Sequence, residues 1–141
     1  MKDSIEPANG FAKLVGYRLA VWQPDCAEIV LALEPRHLNR SGVPHGGVIA
    51  TLIDAACGFA GCYCAVPGRV RRAMTLTMST SFLGQAVAGD TLTAKARRTG
   101  GGKTVFFTRC DLVDGQGQLI ATGEAAYKYR KGSENPTGVP A

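Results

Sequence analysis

Asp54 is the residue of this chain whose type and surroundings most invite chemistry. It carries the only formal charge between Val43 and Val66, the longest weakly polar run in the sequence. An ionisable group in apolar surroundings is costly unless it is hydrogen-bonded or paired, so chains keep one either for structure or for work. As structure, it would cap a loop or pair with an arginine. As work, a carboxylate is a general base or a nucleophile. His45-Gly46-Gly47 stands just before it. Glycines at a helix start present bare N–H groups, and the helix dipole adds positive potential, so this corner can hold a carbonyl oxygen or an oxyanion. The plainer alternative is a tight loop-to-helix turn. His45 itself is either an acid–base group or a neutral ring hydrogen-bonded to its own loop. Along one helix Gly46 and Asp54 are separated by ~12 Å and cannot both touch one reacting carbonyl. If both act on one substrate they come from different subunits, which implies a two-fold dimer with paired sites at its interface.

Other polar residues could join them. Asn39 precedes the glycines in a loop able to fold back towards the helix start; its amide could orient a water or a substrate carbonyl, or simply shape a turn. Thr75 and Thr77 put hydroxyls on one face of a strand, where they could hydrogen-bond the Asp54 carboxylate or merely serve a solvated sheet face. The stretch Arg97 to Thr104 holds cations, a hydroxyl and accessible N–H groups at Gly102, Lys103 and Thr104, which suits phosphate but lacks any nucleotide-binding spacing. Arg69, Arg71 and Arg72 form a second basic cluster.

The elements that must position these residues follow from periodicity. Ile49, Leu52, Ile53, Ala56, Phe59, Ala60 and Tyr63 recur at helical spacing, predicting a helix from Gly46 to about Cys64. Its opposite face, Gly47, Ala50, Thr51, Asp54, Cys57, Gly58 and Gly61, is small enough for a partner or ligand to approach. Tyr17–Gln23 and Cys26–Glu34 read as a hairpin about Pro24-Asp25. After Arg72 the period becomes two, with Met74, Leu76, Met78 and Phe82 alternating with hydroxyl residues; further strands fit 90–99, 104–113 and 119–129. Two strands, a helix and four strands without βαβ alternation predict an α+β fold, an antiparallel sheet with the helix laid on it. Residues 1–13 read as a loose lead-in and 131–141 as a frayed tail, leaving one domain over 1–130.

Composition narrows the function. The 141 residues are 45% hydrophobic and 19% charged, enough for a sizeable core. A net charge of +5 suits an anionic small molecule or a nucleic acid. With no basic recognition helix or aromatic RNA-binding motif, no nucleic-acid partner is expected. A membrane span over 43–66 is opposed by its central acid, worth ~3 kcal/mol at a bilayer centre, and by its glycines. Five cysteines without a CxxC pair, and no apolar signal-peptide core in Met1 to Gly10, predict reduced thiols in a cytoplasm. Cys57, Cys62, Cys64 and His45 lack two spaced ligand pairs, so inert buried thiols are expected, with no metal and no cofactor.

Asn39-Arg40-Ser41-Gly42-Val43-Pro44-His45-Gly46-Gly47, followed by Leu52 and Asp54, resembles the N-x-x-G-x-x-H-G-G-x(6)-D signature of hotdog-fold thioesterases of the PaaI-like, phenylacetic-acid-degradation type. The likeness runs from about Phe11 through Tyr127. It implies a hotdog fold, in which a curved antiparallel sheet wraps a long helix. It also implies a homo-oligomer, either a dimer or a dimer of dimers (homotetramer), and hydrolysis of an acyl-coenzyme A substrate without a metal. By position it makes Asp54 the nucleophile or general base and the Gly46 N–H the carbonyl-polarising donor. Asn39 then places water or substrate. Thr75 falls where relatives carry a hydroxyl residue assisting the acid, Thr here in place of Ser. His45 and Gly47 fall at the substrate, and Gly102, Lys103 and Thr104 where the coenzyme is contacted. Thioester chemistry agrees: the carbonyl is electrophilic and the thiolate leaves readily, so one carboxylate and fixed N–H donors suffice. A non-catalytic acyl-CoA or lipid-binding module on the same scaffold is the alternative.

Overall fold

The computed structural model describes residues 5–141. Part of the expected lead-in and of the segment read for a signal peptide, residues 1–4, lies outside the described residues. The order is α1 (Gly10–Val15), β1 (Arg18–Gln23), β2 (Cys26–Ala32), a 3₁₀ turn (Pro35–His37), α2 (Gly46–Ala60), β3 (Arg69–Val70), β4 (Ala73–Phe82), β5 (Thr91–Gly101), β6 (Val105–Val113), β7 (Leu119–Tyr129) and β8 (Val139–Pro140). Six strands form one antiparallel sheet in the order β1-β2-β5-β6-β7-β4. The helix α2 lies across it, touching every strand of the sheet. This is the expected hotdog architecture.

Alternation explains how sheet and helix meet. Ala27, Ile29 and Leu31 of β2, Leu92, Ala94 and Ala96 of β5, and Phe106, Cys110 and Leu112 of β6 point inward and are buried. The intervening residues face out. From α2 they receive Ile49, Leu52, Ile53, Ala56, Cys57 and Ala60. Each large aliphatic side chain so buried contributes ~1.5–3 kcal/mol. Gly123 lets α2 approach closely, because Ile53 occupies the place a side chain there would take. The hairpin about Pro24-Asp25 forms as expected, with Asp25 at φ 62° turning β1 into β2.

Four expectations are corrected. The helix ends at Ala60, not near Cys64: the Phe106 ring fills the space beside Gly61, and the Gly61 carbonyl accepts from the Tyr129 hydroxyl instead of a following turn. Cys57, assigned to the approachable face, is fully buried against Cys110 and Thr108 of β6. The tail is not frayed. β8 pairs with β3, Arg69 donates from Nε to the Thr137 carbonyl (2.8 Å) and from Nη2 to that of Gly138 (2.7 Å), and the buried Ser133 accepts the Arg72 N–H on its Oγ (2.8 Å). Arginine donors remote in sequence hold the segment, which its own composition does not disclose. The lead-in also contains α1, pinned by Arg36 to the Leu14 carbonyl (2.9 Å) and by the buried His37, whose Nε2 donates to Val15 (2.6 Å). Among the described residues no helix is long and apolar enough to cross a membrane.

Candidate active site

Halfway along α2, Asp54 leaves the core face and turns its half-buried carboxylate towards the start of β4 and the end of β7. Its Oδ1 accepts two hydrogen bonds, from Thr75 Oγ1 on β4 and from the Tyr127 hydroxyl on β7, each 2.8 Å. The same phenol lies 2.8 Å from the Asp54 main-chain carbonyl, so its proton is shared between the two oxygens. Oδ2 has no partner among the described residues. One oxygen is therefore clamped and the other is free to take a proton or attack a carbon.

Tyr127 is itself fixed. Its ring stacks on Phe106 with centroids 5.1 Å apart and planes 8° apart. Burial, and then the Asp54 charge, push its phenol far above the ordinary tyrosine range, so it stays a neutral donor. Tyr17 is raised for the same two reasons, burial first. Asp54 lines a cavity of about 420 Å³ together with Trp22, Gly58, Phe59 and Tyr127 and with Arg71, Arg72 and Arg130.

The remaining expected residues separate into groups. Gly46 opens α2, and its N–H has no partner among the described residues. A side chain added there would touch the Phe82 ring at 3.5 Å, which places the helix start beside the far end of β4. His45 caps the helix: its Nδ1 accepts the Gly47 N–H at 2.8 Å, so that N–H is already used and His45 is bonded to its own loop. A side chain on Gly47 would press on that imidazole at 3.0 Å, hence the second glycine. Asn39 Oδ1 accepts from the N–H groups of Ser41 (2.8 Å) and Val43 (3.4 Å) and shapes the loop leading to the helix. Gly102, Lys103 and Thr104 form the exposed tip between β5 and β6 and do not line the Asp54 cavity. Thr77 also stands apart: a bulge between Thr75 and Thr77 sends it to a groove on the outer face of the sheet. No three His, Cys, Asp or Glu side chains among the described residues gather as a metal site, and Cys57, Cys62, Cys64 and His45 do not converge.

Thus Asp54 and Thr75 meet within one chain, whereas Gly46 and Asn39 sit two helical turns away. Tyr127 escapes a reading of sequence, since it lies 73 residues from Asp54 and looks like any inward strand aromatic. The cavity aromatics are missed for the same reason. Arg71 and Arg72 were visible within a basic cluster, but Arg130 and the convergence of the three on this cavity were not.

The geometry can now be set beside known proteins. The family described as the thioesterase superfamily matches residues 41–121. Human acyl-coenzyme A thioesterase 13 is 32% identical over 118 residues, covering 82% of each chain. Among solved structures, the Escherichia coli PaaI protein from the phenylacetic acid degradation operon superposes with a TM-score of 0.74 at 26% identity, over 84% of this chain and 83% of that one. The smu.793 protein of Streptococcus mutans, solved bound to acetyl CoA, has a TM-score of 0.70 at 23% identity, over 81% and 88% of the two chains, and shares the fold. The chain belongs to the thioesterase superfamily.

Proposed function

We propose that the protein hydrolyses acyl-coenzyme A thioesters, with Asp54 as nucleophile or general base, in a dimer that sets the Gly46 N–H of one subunit against Asp54 of the other. The observation that carries this reading is the clamped carboxylate, with Oδ1 held by Thr75 and Tyr127 and Oδ2 left open on a cavity. As a base, Oδ2 takes a proton from water as the water oxygen bonds to the thioester carbon. The C–S bond then breaks and the coenzyme leaves as its thiolate, which is protonated to the thiol. As a nucleophile, the same oxygen forms a mixed anhydride while the thiolate leaves, and water then cleaves the anhydride. Either way negative charge builds on the carbonyl oxygen, where a fixed N–H donor is worth ~3 kcal/mol of barrier.

The run of α2 against β4 supports the two-fold arrangement. Gly46 lies by Phe82 and Asp54 by Thr75, so helix and strand are antiparallel. β4 is one of the two edge strands of the sheet, and its outer edge is unpaired among the described residues. If two copies pair antiparallel through this edge about a point midway between Thr75 and Phe82, the Phe82 end of one faces the Thr75 end of the other. Each Asp54 then meets its partner's helix start, with Asn39 nearby. The dimer, alone or doubled, thereby completes two sites. The acetyl CoA bound by a structural neighbour and the name of the human relative support the coenzyme ester as substrate.

The test is free-thiol release from a panel of acyl-CoAs. Asp54→Asn is expected to lower kcat by about 10²–10⁴-fold, the usual worth of a positioned acid–base group. Wild-type rates in that variant would remove Asp54 from the chemistry. Tight acyl-CoA binding with no thiol released by the unmodified protein would favour the binding-module alternative.

A further inference from the structure

We infer that the cavity beside Asp54 is built for an acyl group with an apolar stem and an anionic end, and that Arg71, with Arg72 and Arg130, selects that end. The inference rests on the thioesterase reading and names its substrate class.

The cavity is lined by both apolar and cationic side chains. Its aromatic lining is braced: Trp22 packs edge-on to Phe59 with centroids 5.3 Å apart and donates Nε1–H to the Phe59 carbonyl at 2.8 Å. Gly58, one helical turn after Asp54, adds no side chain, which leaves room for the stem of an acyl group. The same lining includes three arginines, Arg71, Arg72 and Arg130. Arg71 is half-buried, lies 4.3 Å over the Tyr129 ring and donates Nε–H to the Ser133 carbonyl at 2.9 Å. Those two contacts fix its plane while its terminal nitrogens have no partner among the described residues. The side chains of Arg72 and Arg130 have none either, though their backbones are tied together by the bond from the Arg130 N–H to the Arg72 carbonyl, 2.9 Å. The ion pairs among the described residues are Arg36–Glu34 and Arg109–Glu124, both elsewhere. Two acids, Asp54 and Glu6, also line the cavity, and neither lies within ion-pair distance of these arginines. Three arginines lining one cavity without an ion-pair partner among the described residues, one of them oriented by a ring and a carbonyl, form a receptor for a carboxylate or similar anion.

The coenzyme's phosphates are the other source of negative charge, and matched substrates separate the two. Trp22 is the chain's single tryptophan and lines the cavity, so its fluorescence reports occupancy without turnover. With Asp54→Asn to stop hydrolysis, succinyl-, glutaryl- and adipyl-CoA are titrated against butyryl-, pentanoyl- and hexanoyl-CoA. At least one carboxyl-ended ester is expected to bind tenfold or more tighter than its neutral match, and adding Arg71→Gln should remove most of that preference. Arg130→Gln, on an exposed side chain without contacts in the fold, should weaken the preference in the same sense and guards against a folding defect at Arg71. No preference in any pair overturns the inference. Equal weakening of both members of a pair by Arg71→Gln also overturns it, assigning the arginines to the coenzyme phosphates. Failure of the unmodified protein to release thiol from any ester would instead sink the hydrolase reading and leave the measured preference standing.

Discussion

Two hydroxyls on one carboxylate oxygen leave the other oxygen in a defined direction, and the two donors differ in kind. Thr75 is exposed and sits on an edge strand, whereas Tyr127 is buried and stacked, so Tyr127 sets the orientation of Asp54. A hydrogen bond to a charged group is worth ~1.5–3 kcal/mol. Tyr127→Phe, which keeps the ring and the stack, is therefore expected to lower kcat about ten- to hundredfold with KM less affected, read in the same thiol-release assay. A second readout follows from the raised phenol. The folded protein holds that proton more tightly than the unfolded chain, so below the unfolded tyrosine value, about 10, the group adds no pH dependence. Above it the unfolded chain loses the proton first, and stability falls by ~1.4 kcal/mol per pH unit for the group. Cys62, pushed up to about 11 by burial, acts in the same direction from its unfolded value of 9.0 upward. Denaturant unfolding at pH 9, 10 and 11 should show a shallower alkaline decline in Tyr127→Phe than in wild type. Equal slopes would mean the phenol is not held as the geometry says.

At the scale of elements, what was legible is what local pattern encodes. The period-two runs gave β4 to β7, and the helical spacing from Ile49 to Ala60 gave α2 with Asp54 on its open side. Thr75 is singled out as a hydroxyl able to reach Asp54 and by the position the family resemblance gives it, with an ordinary solvated strand face as the alternative. Tyr127, Trp22 and the fate of residues 131–141 depend on pairings between distant segments, and nothing near them in sequence records these. The C-terminal segment shows the difference most clearly. Its glycines, prolines and Asn read as fraying, yet it supplies the carbonyls that orient Arg69 and Arg71 and the Ser133 hydroxyl that receives the Arg72 N–H. A chain ending at Arg130 is therefore expected to keep the sheet and helix by circular dichroism but melt several degrees lower. The lost hydrogen bonds are worth ~1 kcal/mol each, and ~1 kcal/mol shifts Tm by about 2–8 °C in a domain of this size. An unchanged Tm would show that the segment merely rests on the body.

At the scale of the molecule, the proposed dimer would answer two features of the single chain with one contact. The chain's acid and its unpartnered N–H lie two helical turns apart, and its edge strand β4 is ten residues long with an open edge. Such an edge is an invitation to pair, and soluble proteins usually shorten it, charge it or cover it. β4 carries no charged residue and exposes Met74 (45%), Leu76 (50%) and Phe82 (57%), which suits burial against a second copy. Because α2 runs antiparallel to β4, the proposed pairing through that edge would bring each Asp54 to the other subunit's Gly46, so assembly and activity should be lost together. Leu76→Glu, which puts an unpaired charge into the apolar edge the dimer would bury, is expected to shift sedimentation from two or more chains to one and to abolish thiol release, although Asp54, Thr75 and Tyr127 remain in contact within each chain. Leu14→Glu, on an exposed α1 residue (68%) remote from β4 in the chain, should alter neither. A monomeric Leu76→Glu protein with full activity would separate the chemistry from the dimer, because one chain would then hold every group the thioester needs.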